Sequence, residues 1–474
     1  MSRPLRAEVA PLAPLGDGAW AVGGGIRDAL LGRPVADLDV AVADRPAERA
    51  RELAEAHGAR RFRLSASFGS WRVFGGRLPF PVDLTPLQGP TLEADLARRD
   101  LTVNALAAPV AGPEAGEVVD HHGGVADLGA RRLRLVSASA LADDPVRMLR
   151  LARLALQLGF TIDPEAVRQA RADAPRLAGA VGERLRDELG RVLRLPEAWR
   201  GVELLDEIGA LGALVPQLEQ SRGMEQSPYH HKDVLGHVLE VVRHASELLA
   251  DPEPVFRGLA PRVSDALARP LADDLTAGQA TLYGALLHDM AKPATRAVTP
   301  EGRVTFMAHD RAGAEMADAL FRRLKTSTRL REFVVLLVRQ HLPLGFMVHR
   351  MPLSLRQIDR YLRRTAPAEV EEIVLSVADR LATAGPMTRP SAITRHLALA
   401  REVMRVHFEL LDRGPIRPLL PGDALARAAG RPPGPWLAEL VDALREEQLV
   451  GAVRTAKEAE QFARRWFASD RSTF

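Results

Sequence analysis

The 474-residue chain contains no cysteine. Disulfides and cysteine-ligated metal sites are therefore excluded, which agrees with a reducing, cytoplasmic setting. Long apolar runs are also missing: none reaches the ~18–20 residues a membrane-spanning helix needs, and the N-terminal residues lack a signal-peptide core. Aromatic residues make up only 5% of the chain, and Lys232, Lys292, Lys325 and Lys457 are its only lysines among 64 basic residues. No sign of charge dominates either. With a net charge of +3, affinity for nucleic acid has to come from local patches rather than from the overall field. Three or four domains are expected for this length.

What the chain does have begins at Val22-Gly23-Gly24-Gly25-Ile26-Arg27-Asp28, followed by Asp37-Leu38-Asp39. Trp20 and Val22 lead as a strand into a glycine turn, Ile26 to Leu31 has helical spacing, and Val35 to Val42 alternates as a strand. Asp37 and Asp39 then point the same way, because strand side chains repeat every two residues. Paired carboxylates repel unless a divalent cation lies between them, and such hard oxygen ligands suit Mg²⁺. A glycine turn that admits a triphosphate beside such a pair points to metal-assisted nucleotidyl transfer.

Further motifs follow in order: Phe80-Pro81-Val82-Asp83-Leu84-Thr85, Arg98-Arg99-Asp100-Leu101-Thr102-Val103-Asn104-Ala105, Asp120 to Val136, Asp143-Asp144-Pro145-Val146-Arg147-Met148-Leu149-Arg150, and Glu183-Arg184 to Glu188. On these residues the chain resembles the class II tRNA nucleotidyltransferase and bacterial poly(A) polymerase family. The resemblance implies an α+β fold, with a small nucleotidyltransferase sheet as head and all-α neck, body and tail. It makes Asp37, Asp39 and Asp83 the catalytic carboxylates. Gly23, Gly24, Arg27, Asp28, Arg98 and Arg99 become contacts to the nucleotide's phosphates and turn, Asp100 and Asn104 candidates for the ribose. Asp143, Asp144, Arg147 and Arg150 form the nucleotide-selecting motif. The family usually has Glu where Asp143 stands.

Asp144 and Arg147 are three apart on an expected helix, so one face presents an acceptor beside a donor. Cytosine and adenine offer an amino donor next to a ring-nitrogen acceptor; guanine and uracil offer the reverse and would leave buried polar groups unpaired, at roughly 1–3 kcal/mol each. The choice between C and A lies elsewhere. In family members that add the whole CCA end, a flexible loop of a few tens of residues separates the third carboxylate from the Arg-Arg-Asp motif. Here only the fourteen residues Leu84 to Ala97 intervene. That shortening resembles the CC-adding enzymes, with CTP as substrate and tRNA as partner.

A second constellation lies in the C-terminal half. His237, His288-Asp289 and Asp379 reproduce the order of HD-domain metal ligands, and His309 and His341 fall where larger HD sites place extra ones. Imidazole with carboxylate suits Mn, Fe, Co, Ni or Zn, and an ion there would activate water for phosphate-ester hydrolysis. Lys292 is a candidate phosphate contact; His230 and His231 remain unassigned. The expected domains are residues 1–137 (head), 138–224 (neck and body), 225–390 (HD) and 391–474 (tail, tRNA binding). The proline-rich stretch Asp251 to Asp274 is expected to be an insertion loop. The expected activity is CMP addition to the tRNA 3′ end with an HD phosphohydrolase. Three rivals stand beside it: a full CCA-adding enzyme using CTP and ATP, a poly(A) polymerase, and an HD phosphohydrolase whose head only binds RNA.

Overall fold

A computed structural model describes residues 4–66 and 69–469. The fold is mixed α+β, and the chain divides into two compact units at Glu219/Gln220. The first unit is built on a seven-stranded sheet of β1 (Ala19–Val22), β2 (Leu38–Val42), β3 (Arg60–Ser65), β4 (Ser70–Phe74), β5 (Val82–Pro86), β6 (Leu106–Pro109) and β7 (Val119–Asp120), in the order β3-β4-β5-β2-β1-β6-β7. All pairings are antiparallel except β2 with β5. One face carries the buried Leu38, Val40, Val73, Val82 and Leu84, against which the helix Pro46–His57 packs. The alternate residues face the other way, as the two-residue period requires.

The expected strand Val35–Val42 begins only at Leu38. Its neighbour β1 ends at Val22, opposite Asp39, and β5 starts at Val82, opposite Leu38, so earlier residues have no partner strand. Asp37 therefore immediately precedes the strand that carries Asp39. The segment Asp143 to Arg150 also differs from expectation: one helix ends at Asp143, the next runs Arg147–Leu158, and Asp144 is extended between them (φ −147°, ψ 93°). Pro145 is the cause, because a proline forces its predecessor out of the α region.

The second unit is helical. At its centre the helix Ala277–Leu287 is buried at every position but Gln279, which is why its sequence is apolar all round. A Thr276/Gln279 capping box starts it, and His288-Asp289 follow its end. Around it lie Val234–Ala250, Thr328–Gln340 and Glu369–Ala382. The stretch Asp251 to Asp274, expected as a loop, instead contains the helices Glu253–Phe256 and Ala260–Ala268, which bury Val255, Phe256, Val263 and Leu267. Its prolines do not break these helices; Pro254 and Pro261 stand in their first turns, where a missing N–H costs nothing. The last three helices, Gly422–Ala428, Trp436–Leu449 and Ala456–Ser469, surround a core of their own that includes Leu425, Leu440 and Leu444. Buried Asp359 pairs with Arg445 at 2.7 and 2.9 Å and with Arg363 at 3.0 Å.

Glu372 is a liability in this unit. It is buried on the helix that also bears Asp379, and among the described residues neither carboxylate oxygen has a hydrogen-bond partner. Burial, then the neighbouring Glu371, raises its pKa well above the ordinary value. The folded state thus keeps a proton that the unfolded chain has released, and stability falls as pH rises beyond the unfolded value. Glu372→Gln is expected to raise stability by roughly 1–2 kcal/mol near pH 8 and to have little effect near pH 4. Urea unfolding at the two pH values measures the difference.

Candidate functional site

In the first unit the register of β2 and β5 sets Asp39 opposite Asp83, and β4 sets Arg72 opposite Asp83. Arg72 donates to both Asp83 oxygens, Nε to Oδ1 and Nη2 to Oδ2, each at 2.7 Å. Asp39 keeps exposed surface yet sits deep in a cleft. The surrounding protein mass raises its carboxyl to about 6; Arg99 opposes the shift, while the carboxylates of Asp83 and Asp37 add to it. Asp37 and Asp39 offer carboxylate oxygens to this cleft, while both Asp83 oxygens are held by Arg72; a divalent cation on the first two would relieve the repulsion that raises Asp39.

The glycine turn closes over the same point. Gly23 has φ +76°, and a Cβ there would come 2.9 Å from Arg99 Nη1 and 3.6 Å from Asp39 Oδ2. At Gly25 a Cβ would meet Leu38 Cδ1 at 2.3 Å, so glycine there lets the helix Gly24–Leu30 rest on the start of β2. The cleft beyond has a volume of about 730 Å³. Gly23, Gly24, Arg27, Asp28, Asp37, Asp39, Arg98, Arg99, Asp100, Asn104, Arg147 and Arg150 all line it. Asp83, Asp143 and Asp144 do not: Asp83 is turned to Arg72, and Asp143 accepts from Ser139 Oγ at 3.0 Å.

A continuous chain of hydrogen bonds runs from the glycine turn to the helices behind the cleft. Arg27 donates to Asp28 through Nε and Nη2, both at 2.9 Å, and to Asn104 Oδ1 at 2.7 Å. Asn104 Nδ2 donates to Asp100 Oδ1 at 3.0 Å, and Arg150 Nη1 to Asp100 Oδ2 at 3.1 Å. Glu188, on the helix Gly182–Leu193, then gathers Arg150, Arg153 and Arg191 at 3.5, 2.8 and 3.1 Å. Burial alone would raise the Asp100 carboxyl, but Arg150, Asn104 and the Leu101 amide hold it below the ordinary value.

Asp144 and Arg147 are near one another, 3.7 Å apart, and both are engaged. Arg184 donates to the two Asp144 oxygens at 3.0 and 2.6 Å. Arg147 donates to the carbonyls of Arg98 at 2.7 Å and Ala140 at 3.0 Å.

In the second unit His237, His288 and Asp289 converge as one possible ligand set, and Asp289, His309 and His341 as another. Asp289 belongs to both. Its oxygens lie 3.1 Å from His288 Nε2, 3.6 Å from His237 Nε2 and 3.3 Å from His309 Nε2. Asp379 Oδ1 is 3.1 Å from His237 Nε2, poorly aligned for a hydrogen bond. His288, His309 and His341 each place Nδ1 within 2.7–2.9 Å of a backbone carbonyl, of Ala285, Phe306 and Val338. A carbonyl only accepts, so Nδ1 carries a hydrogen and Nε2 is the ring nitrogen each would offer to a metal. Burial first, then His288, pushes His341 down to about 4. Its Nε2 nevertheless faces that of His309 at 3.2 Å. Donors bonded to one ion at ~2.0–2.2 Å would themselves be roughly 3–3.5 Å apart, so the residues fit a divalent metal.

Lys292 Nζ lies 2.6 Å from Asp289 and donates to Gln226 Oε1 at 2.5 Å. His230 stacks edge-on against His237 at 4.8 Å, and His231 pairs with Glu240 at 3.0 Å. A cavity of about 580 Å³ opens beside His341 and Asp379, with Tyr229, Arg380, Arg389 and Arg395 in its wall.

A poly A polymerase head-domain model matches residues 19–77 and 76–134. A probable RNA- and SrmB-binding site of polymerase A matches 159–221, and an HD domain matches 234–384. An A-adding tRNA nucleotidyltransferase of Deinococcus radiodurans is 37% identical over 462 residues, covering 96% of this chain and 97% of that protein. The chain belongs to the tRNA nucleotidyltransferase family. A CC-adding tRNA nucleotidyltransferase of Thermus thermophilus is 35% identical over 456 residues, 94% of this chain and 93% of that protein. The fold matches the solved Thermotoga maritima CCA-adding enzyme complexed with tRNA at a TM-score of 0.63 and 19% identity, covering 98% and 95% of the two chains. Membership in this nucleotidyltransferase family, together with the HD domain, implies dependence on divalent metal.

Some residues of the site carried no motif to announce them. Arg72 reaches Asp83 only through strand pairing. Asp95 bonds Arg99 at 3.0 Å and the Gln88 amide at 2.8 Å. Arg153 and Arg191 meet at Glu188. Each is one charged residue among many, and only Glu188 fell inside a recognised motif.

Asp100→Asn would remove the closer of the two carboxylates on Arg150 and leave only the 3.5 Å contact to Glu188, and a loss of about 1–3 kcal/mol is expected at pH 7. Because the Asp100 pKa is depressed in the fold, the native advantage is present above the unfolded value and disappears as pH falls through the folded one. The gap between wild type and variant in urea unfolding should therefore close on acidification.

Proposed function

We propose that the chain is a template-independent tRNA nucleotidyltransferase that adds CMP from CTP to the tRNA 3′ end, and that its HD centre hydrolyses phosphate esters. The observation that carries the first part is the row of Asp39 and Asp83 on adjacent strands, beside a cleft lined by Arg27, Arg98, Arg99, Arg147, Arg150, Arg153 and Arg191. Asp37 and Asp39 would hold Mg²⁺. When bound, Mg²⁺ supplies charge neutralisation to the triphosphate and acidity to the attacking hydroxyl. The chain's own residues do the rest. Arg27, Arg98 and Arg99 hold phosphate oxygens, which bidentate guanidinium groups do better than lysine. Gly23 and Gly24 leave room for the phosphates, and Asp28 steadies Arg27. Asp100 and Asn104 bind the ribose. Asp83, steadied by Arg72, orients the primer's 3′-hydroxyl toward the α-phosphorus, and pyrophosphate leaves toward the arginines.

Asp144 and Arg147 read the base edge, with Asp143 and Arg150 completing the motif; cytosine's amino group would share Asp144 with Arg184. The reading of C rather than the whole CCA end rests on the β5-to-helix connection. Between Pro86 and the helix Leu92–Ala97 lie only residues 87–91. They are tied down: the Leu87 amide donates to the Val42 carbonyl at 3.0 Å, the Gln88 amide to Asp95 Oδ1, and Thr91 caps the helix. A short connection held this way favours a site that takes one nucleotide. The relatives named above divide between A and C addition at nearly equal identity, so terminal A addition stands as the second reading.

In the HD centre His237, His288, Asp289 and Asp379 would hold Mn, Fe, Co, Ni or Zn, with His309 and His341 as further ligands. Lys292, paired with Asp289, stands ready to take a substrate phosphate. The boundaries proposed for these roles are 1–137, 138–224, 225–390 and 391–474, with the last segment binding tRNA in the cytoplasm.

The test uses tRNA ending at the discriminator base, or already at CC, with CTP, ATP or both, and product length read to one nucleotide. Addition of two cytidines, and nothing to the CC-ended tRNA, is expected. A terminal A on the CC-ended tRNA overturns the C assignment, and long A tails on unrelated RNA overturn the tRNA assignment. Asp39→Ala should abolish transfer and spare phosphate-ester hydrolysis, whereas Asp289→Ala should do the reverse. Loss of both activities in either variant would refute two independent centres.

A further inference from the structure

The catalytic row does not stop at Asp83. Strand pairing continues it outward: Asp39 faces Asp83, Asp83 faces Arg72, and Arg72 faces Phe62 on the edge strand β3. Directly opposed residues share a face of the sheet, so Phe62 stands on the same face as the carboxylates. At strand spacings of ~4.8 Å it is about 10 Å from Asp83 and about 14 Å from Asp39. Phe62 is 45% exposed and meets Phe74 edge-on at 5.8 Å. Buried packing does not explain a large aromatic at this place.

The direction of the row gives it a meaning. The glycine turn follows β1 and Asn104 precedes β6, so the arginine-rich cleft lies on the β1 side of Asp39. In an in-line displacement the attacking hydroxyl approaches opposite the leaving pyrophosphate. The primer must then arrive from the other side, over β5, β4 and β3. That path holds Arg72, two of whose five donors go to Asp83 while a third of the side chain stays exposed, and then the face of Phe62. A guanidinium followed by an aromatic plate matches the phosphate and base of a single nucleotide.

We propose that Phe62, backed by Phe74, is the stacking platform for the base of the last nucleotide of the RNA primer, and that it positions the 3′-hydroxyl at Asp83. The proposal rests on the nucleotidyl-transfer reading above. Stacking on an aromatic face accepts any base, as a platform must if the terminal nucleotide changes after each addition.

The experiment is steady-state nucleotide addition to tRNA lacking its 3′ end, with tRNA and CTP varied separately. Phe62→Ala should raise the KM for tRNA roughly fivefold or more and lower kcat, because the hydroxyl is less well placed, with the KM for CTP within about twofold. Phe62→Trp should restore the tRNA KM. Phe62→Leu keeps the bulk without the π face; it should behave as Ala does and guards against a folding defect in the smaller variant. An unchanged tRNA KM in both Ala and Leu variants overturns the platform and leaves the transferase reading standing, as does an equal rise in the KM for CTP. A wild-type protein that transfers neither CMP nor AMP to tRNA overturns both.

Discussion

The parallel pairing of β2 with β5 is the constraint on which the head depends. It is the only parallel contact in an otherwise antiparallel sheet, and it alone brings two carboxylates from distant parts of the chain to opposed positions. Slipping that pair by one residue would turn Asp83 into the core and expose Val82 or Leu84. The apolar residues on either side of each carboxylate therefore fix the chemistry as firmly as the carboxylates do. Catalytic geometry here is secured by the cost of exposing leucine and valine.

Outward from that pair, the site is held by alternation of charge. Asp28, Arg27, Asn104, Asp100, Arg150 and Glu188 form an unbroken series from the glycine turn to the helix Gly182–Leu193. Buried charges are costly singly and tolerable in satisfied networks, so each member constrains the next. The site where phosphates are expected and the helices proposed to read the base are thereby set relative to each other. The Arg147 contact to the Arg98 carbonyl adds a second tie between the same two regions.

The motif residues of the head were legible because the chemistry concentrates them in short contiguous runs, and the structure gathers ten of them around one cleft together with Arg147 and Arg150. The candidate HD ligands His237, His288, Asp289, His309 and His341 stood out by their order, and these side chains meet although they come from segments far apart in the chain. What escaped reading was local backbone state and partner identity. Pro145 took Asp144 off the helix that spacing alone suggests. The prolines of Asp251 to Asp274 read as loop, although two of them stand in helical first turns. Arg72 and Phe62 are ordinary strand residues until pairing sets Arg72 beside Asp83 and Phe62 beside Arg72, and pairing is a non-local property that no single stretch of sequence displays.

The scarcity of lysine has a structural sequel. Residues 1–231 contain none, and every cation lining the nucleotide cleft is an arginine. Guanidinium groups neither titrate in the physiological range nor react with acyl donors as amines do. The side chains of the transferase unit are therefore closed to lysine acylation, whatever the metabolic state. Such modification has targets only in the second unit, and there Lys292 is already buried against Asp289. Of the two centres, only the one with histidines has a nearby amine whose charge can be chemically erased.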